Sequence, residues 1–436
     1  MKQKEFKRTM QLGLGRCVQT LMQSADKERY RRIVLWGCLH NLSFDTQCEG
    51  PRTWYVFKLA SLFKDDSYFV QPTIEAFHKC STNRYWDFSH FLGVLAHFAE
   101  NESVAAREAI QAKYDELYAR LQKRRSEKNG DLTGCFESLC ICRTELDGDK
   151  AFRKIIDDLE FLFAENPRYD REDFNWFYTR AKDQFVAKAE QIDELLEAAA
   201  ELVESALPNV KMDPKTADEL ITFANDTENL YPFPILYFAR KASRSEKEKL
   251  AEYILSEKDD AKKAWFLKAF AEIIMPFPGP VELLISWSKS ENEGLSEASF
   301  EALKVVKGMA VHEYGMELLN DPKRKDVSIC MLLTNYCEAD EEMLLKTLNS
   351  MQIDYADTIS WHGIVLHIIH LFKHNTGLSK EFLLWIYEHS LCSCCRAEVV
   401  HELDKRNWLS CDLICECQND SNEDIRKFVS GHNHWK

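Results

Sequence analysis

The sequence predicts an all-α protein, arranged as an α-solenoid of stacked antiparallel helix pairs. Three observations carry this. The 436-residue chain exceeds one compact core, since single cores stop growing at about 250–300 residues. Glycine and proline are scarce, at 15 and 11, whereas an all-β chain of this length needs many more turn residues. Finally, one unit recurs. First helices are expected near 281, 311, 341, 380 and 410, and second helices near 296, 326, 360, 391 and 423, so successive pairs lie 30–39 residues apart. One helix pair cannot bury its own apolar face and stacks on the next, which gives repetition at this period a structural meaning.

Along the first half, helices are expected at 30–43, 53–64, 73–80, 85–99, 103–125, 151–164, 171–207 and 217–226. Residues 121–134, with Lys123-Arg124-Arg125 and Asn129-Gly130, read as an exposed loop. Within 182–207, Ile192, Leu195, Leu196, Ala199, Leu202 and Val203 line one helix face, and Asp193, Glu194, Glu197, Glu201 and Glu204 line the other. Pro208 and Pro214 bracket a break. The expected organisation is therefore an irregular helical region 1–207, a joint at 208–216 and a regular repeat region 217–436. Tyr231-Pro232-Phe233-Pro234 and Met275-Pro276-Phe277-Pro278 stand 44 residues apart, each ahead of an apolar helix, a Ser/Lys/Glu turn and a second helix. In 296–309, Phe300, Leu303, Val306 and Met309 share a face and Ser296 is placed to cap the start. The joints that follow, such as Asn320-Asp321-Pro322 and Asn419-Asp420-Ser421-Asn422, are turn chemistry.

These paired helices resemble the HEAT/armadillo class of helical repeats. Two stretches carry the likeness best: Ser421-Asn422-Glu423-Asp424-Ile425-Arg426 and Asn101-Glu102-Ser103-Val104-Ala105-Ala106-Arg107. Both look like the polar turn that leads to an apolar residue and an Arg on the second helix of a HEAT unit. The resemblance implies a superhelix in which the turn residue and the Arg tie neighbouring repeats.

The net charge is −15. Residues 1–32 carry a balance of +6, leaving −21 on the remainder. Such a chain repels a polyanion in bulk, so nucleic acid is not the expected partner and a basic protein or peptide is. No apolar run follows the basic start MKQKEFKRTMQLGLGRC, and no stretch approaches the ~20 apolar residues of a membrane span. The odd count of 15 cysteines at irregular spacing speaks against a disulfide framework and for a reducing, cytoplasmic setting. Cys38, Cys330 and Cys337, set among Leu and Ile, are expected to pack as small apolar residues.

No phosphate loop, nucleophile elbow, HExxH or EF-hand pattern is present, so enzymatic activity is not expected. Gly13-Leu14-Gly15 opens a GxGxx run, but Val18 stands at the third glycine position and no strand precedes it. Three constellations remain. His367, His370 and His374 form a stripe on one face of the 361–374 helix, a candidate binding surface. Cys392, Cys395, Cys411 and Cys415 are spaced so that two antiparallel helices could offer four thiolates to zinc, with Cys411 and Cys415 at apolar seam positions as the alternative. Tyr85-Trp86-Asp87 is similar to the aromatic-Trp-Asp run of HEAT-like alkylpurine DNA glycosylases, a likeness that would make Asp87 a catalytic carboxylate. The leading expectation is a non-enzymatic scaffold for another protein or peptide, with no cofactor, and with the acidic face at Glu194, Glu197 and Glu201 and the histidine stripe as binding patches. The alternatives are a nucleic-acid-acting protein of glycosylase type, and a regulatory module with a C-terminal Cys/His metal or redox site.

Overall fold

A computed structural model describes residues 1–123, 130–184, 214–227, 229–271, 275–351, 358–374 and 377–431. These residues form helices and no strand. None of the helices is long and apolar enough to cross a membrane. The chain divides into two compact units. One joins Met1–Pro208 to Leu391–Ala397 and Leu409–Lys436, and the other joins Asn209–Ser390 to Glu398–Trp408. The expected joint at 208–216 lies largely outside the described residues, as do Glu194, Glu197 and Glu201.

In the first unit, helix Tyr85–Glu100 shows why the local sequence folds as it does. Phe88, Phe91, Leu92, Leu95, Phe98 and Ala99 recur three or four apart and are all buried. The helix packs on Thr53–Ala60, Ser67–Lys79, Val104–Lys123 and Gly130–Glu165. Gly93 permits close approach to Thr53–Ala60, since a Cβ there would meet the Thr53 side chain at 2.7 Å. Helix Gly130–Glu165 breaks at Gly148, where φ is 64°. Its first half occupies residues that read in part as loop and otherwise drew no helix. Leu132, Cys135, Phe136, Leu139, Cys140 and Cys142 are buried there, a helical stripe in which cysteine stands for aliphatic residues.

The last helices belong to this unit rather than to the repeat region, and the reason is visible in the first twenty residues. Gly13 adopts φ 79°, and its carbonyl accepts the Ser421 N–H at 2.8 Å. A Cβ on Gly13 would collide with the Ser421 side chain, and one on Gly15 would lie 1.9 Å from the Glu416 carbonyl oxygen. The glycine pair is thus a seat for the C-terminal segment. Two buried ion clusters fix that segment. Arg52 donates to the Gln11 carbonyl (2.7 Å), the Leu391 carbonyl (2.5 Å) and Glu49 (2.8 Å), while Glu49 also accepts the Ser393 N–H at 3.0 Å. Burial opposes ionisation of Glu49, but Arg52 and the hydrogen bonds outweigh it and bring its carboxyl down to about 2. Arg396 and Asp420, both fully buried, form a two-pronged pair at 2.8 and 2.9 Å, and Arg396 reaches Ser421 at 3.1 Å. Replacing Gly15 by Ala forces the backbone at Glu416 to move. The expected cost is about 1–3 kcal/mol, read as a lower melting temperature with faster amide exchange over 411–430.

In the second unit and the C-terminal segment, helices begin at 281, 309, 341, 380 and 411, and at 293, 325, 358, 393 and 423, within three residues of the expected starts. Like helices touch like: Val281–Trp287 packs on Met309–Leu318, while Glu293–Leu303 packs on Lys325–Thr334, which packs on Thr358–Lys373. One expectation fails in detail. The helix expected at 296–309 runs from Glu293 to Leu303 and is capped by Asn292, which accepts the Leu295 N–H at 3.0 Å. Ser296 instead is buried and donates to the Ser288 carbonyl at 2.7 Å. The chain turns at 304–308 because tertiary partners take the carbonyls released there: Thr334 donates to that of Lys304, and Asn335 to that of Val306. The two Pro-Phe-Pro motifs also part company. Pro232 opens a helix and Phe233 is exposed, whereas Phe277 is buried in the coil before Val281.

Candidate functional site

The first unit holds a cleft of about 760 Å³, walled by helices Thr53–Ala60, Tyr85–Glu100, Gly130–Glu165 and Asn175–Gln184 and by the short helix Thr46–Glu49 with the two residues after it. Each functional side chain has a structural reason for its place. Tyr85 and Trp86 lie on the first turn of their helix, with ring centroids 4.9 Å apart in an edge-to-face arrangement. The Tyr85 hydroxyl is 3.3 Å from the Ser138 hydroxyl across the cleft. Glu137 accepts the Phe177 N–H at 2.9 Å, so its carboxylate caps the start of helix Asn175–Gln184 and aims Trp176 at the opening. Trp176 is 68% exposed and Trp86 43%.

The electrostatics are one-sided. Glu100, Glu137 and Glu145 line the cleft, against Arg180 as the one lysine or arginine among its described lining residues. Burial pushes the Glu137 carboxyl up, while the Phe177 and Trp176 N–H groups pull it back. Glu145 is also raised. Loss of surrounding water is the main cause, Arg180 opposes it, and the neighbouring Glu100 adds to it. His97 links the two sides of the wall, with Nδ1 2.9 Å from Glu100 and Nε2 3.3 Å from the Thr53 hydroxyl. Carboxylates held close to one another at reduced hydration gain when a cation enters. Exposed indole faces add cation–π attraction.

The residues singled out from sequence fall in several places. Tyr85 and Trp86 line the cleft, but Asp87 turns to Arg84, whose Nε donates to it at 2.7 Å. The histidine stripe divides. His367 Nε2 contacts the Thr334 hydroxyl at 2.9 Å and the Cys330 carbonyl at 3.1 Å, joining its helix to Lys325–Thr334. Burial, aided by the Lys304 charge, pushes its imidazole down to about 3. His370 and His374 pair with each other at 2.9 Å on the outside. Of the four C-terminal cysteines, Cys392 and Cys395 are buried, whereas Cys411 and Cys415 are exposed. The last two do not occupy the seam, because the buried side of their helix is Glu416 and Cys417. Cys38 and Cys330 are buried as expected, but Cys337 is exposed. The basic residues of the first 32 are partly consumed internally, Arg16 by Glu416 and Arg31 by Asp65, each at 2.8 Å.

No protein-family model, no curated protein and no solved structure matches this chain.

Proposed function

We propose that the protein is a non-enzymatic interaction module whose first-unit cleft holds a basic segment of another protein. One observation carries the reading: three carboxylates and the rings of Tyr85, Trp86 and Trp176 share a cleft with a single arginine. A lysine or arginine side chain entering it would meet ring faces and an excess of carboxylates over arginine together. A nucleic-acid backbone would meet the same carboxylates as repulsion, which weighs against the glycosylase-type alternative, as does the engagement of Asp87 with Arg84. The helices from 281 onward fit a HEAT-like stack, supported by the packing of like helices on like. Arg107 adds to this, since it reaches the Leu146 carbonyl and Asp147 on the next helix. The 15 free thiols suit a reducing cytoplasm.

Calorimetric titration with a Lys/Arg-rich peptide, a neutral peptide and an acidic one of equal length tests the reading. The basic peptide is expected to bind at least about tenfold more tightly than the others. Trp176→Ala is expected to weaken it by about 30-fold, the scale of an interface hot spot, and Glu100→Gln with Glu145→Gln to weaken it further at low salt than at high. Equal binding of all three peptides, or unchanged affinity in both variants, would overturn it.

A further inference from the structure

The second unit carries a separate group of metal-ligand side chains. His312 lies on helix Met309–Leu318, and Cys337 and Asp340 flank the turn before helix Glu341–Ser350. One atom organises them. Asp340 Oδ2 lies 2.8 Å from His312 Nε2 and 3.0 Å from Cys337 Sγ, and all three ligand atoms lie within 4.8 Å of one another. An ionised carboxylate only accepts hydrogen bonds, so the imidazole N–H and the thiol S–H both point at the same oxygen.

From this geometry we infer that His312, Cys337 and Asp340 form a binding site for a divalent ion of the zinc class. The donor set is one imidazole nitrogen, one sulfur and one carboxylate oxygen, which suits a borderline-soft ion rather than magnesium or calcium. Ligands at about 2.0–2.3 Å around a tetrahedral ion stand roughly 3.3–3.8 Å apart. The two distances from Asp340 Oδ2 need only widen by about half an ångström, once the protons between those atoms are gone, to reach that spacing. Metal entry releases the Cys337 thiol proton to solvent and shifts the imidazole proton from Nε2 to Nδ1, so one proton leaves per ion bound. Three protein donors leave a fourth position for water.

The two halves of the site are held in register by a residue that is not itself a ligand. Asn335 accepts the Gly308 N–H at 2.8 Å and donates to the Val306 and Met331 carbonyls at 3.0 and 2.9 Å. It therefore fastens the chain just before His312 to the chain just before Cys337. Such fixed spacing lowers the ordering cost of coordination. The same three residue types could suggest an activated cysteine, but the arrangement is the reverse of one. The thiol donates to the carboxylate, not to the imidazole, and Asp340 holds it above its ordinary value.

The test uses the full chain, reduced, stripped with a chelator and titrated with Co²⁺, then with Zn²⁺. The expected result is a thiolate-to-cobalt charge-transfer band and intense four-coordinate visible bands, both abolished by zinc. Because other thiols are present, the reading is the difference from Cys337→Ser. That variant should lose one equivalent of cobalt and its band while keeping the far-ultraviolet circular dichroism of the parent. His312→Gln, which retains the thiol, should bind at least about 100-fold more weakly. No cobalt uptake by the parent, or the same stoichiometry, affinity and band in Cys337→Ser, overturns the inference. The peptide titrations above do not involve these residues, so the two results stand apart.

Discussion

Arg396→Met is expected to destabilise the first unit by about 3–5 kcal/mol, because it leaves the Asp420 carboxylate buried without its counter-charge. Neither side chain reaches water, and Arg396 meets both carboxylate oxygens. Hydrogen-exchange protection over 391–397 and 411–430 should fall most, since those are the segments the pair fastens. Arg396→Met combined with Asp420→Leu should recover most of the loss, as removing both charges removes the desolvation penalty as well. A single-variant loss below about 1 kcal/mol would show that the pair is not the fastening described. Because the chain has two units, the change must be followed by local exchange rather than by one global midpoint.

Acidification from pH 7 to pH 5 is expected to weaken the same unit by about 2 kcal/mol through His90 alone. The ring is fully buried, its Nε2 is 3.1 and 3.2 Å from the Gly37 and Cys38 carbonyls, and its Nδ1 has no partner. Burial pushes the imidazole down to about 4, against the help of those two carbonyls. The unfolded chain takes up its proton below about 6.5 and the folded chain not until about 4. The stabilisation is therefore complete above pH 6.5 and is lost progressively as pH falls towards 4. Glu49 contributes little in this window, because its carboxyl takes up a proton only near 4.5 in the unfolded chain and not until about 2 in the folded one, so its share is lost at lower pH. His90→Gln should flatten, between pH 7 and 5, the profile of hydrogen-exchange stability read on amides of the first unit, which separates it from the buried His367 of the second. An equally steep profile in that variant would assign the acid sensitivity elsewhere.

Where helices declared themselves by apolar spacing, the sequence was readable: ten starts from 281 onward fall within three residues of expectation. Interactions between distant segments were not readable. The stripe Phe300, Leu303, Val306 and Met309 continues smoothly through a real break, because the break is made by Thr334 and Asn335 some thirty residues away. Helix 130–147 does not stand out in the sequence, because much of its apolar face is cysteine, yet it is the helix that brings Glu137, Ser138 and Glu145 to the cleft. The likeness at Tyr85-Trp86-Asp87 centres on Asp87, yet it is the rings and not the carboxylate that line the cavity. In the sequence Gly13 and Gly15 read only as an incomplete GxGxx run. Their lack of a side chain has a different use, the close approach of Ser421 and Glu416. Cys337 looked apolar by its neighbours, and only the fold brings it to His312.

The seat at Gly13 and Gly15 also sets an order of events during synthesis. The first unit is built from both parts of the chain, with residues 209–390 made in between. At roughly 5–20 residues per second, the first helices must wait on the order of twenty to eighty seconds before Glu416 and Ser421 emerge to cover them. Throughout that interval Arg52 and Glu49 lack the Leu391 and Ser393 backbone groups that complete their cluster. The nascent protein therefore carries an unfinished N-terminal unit throughout that interval.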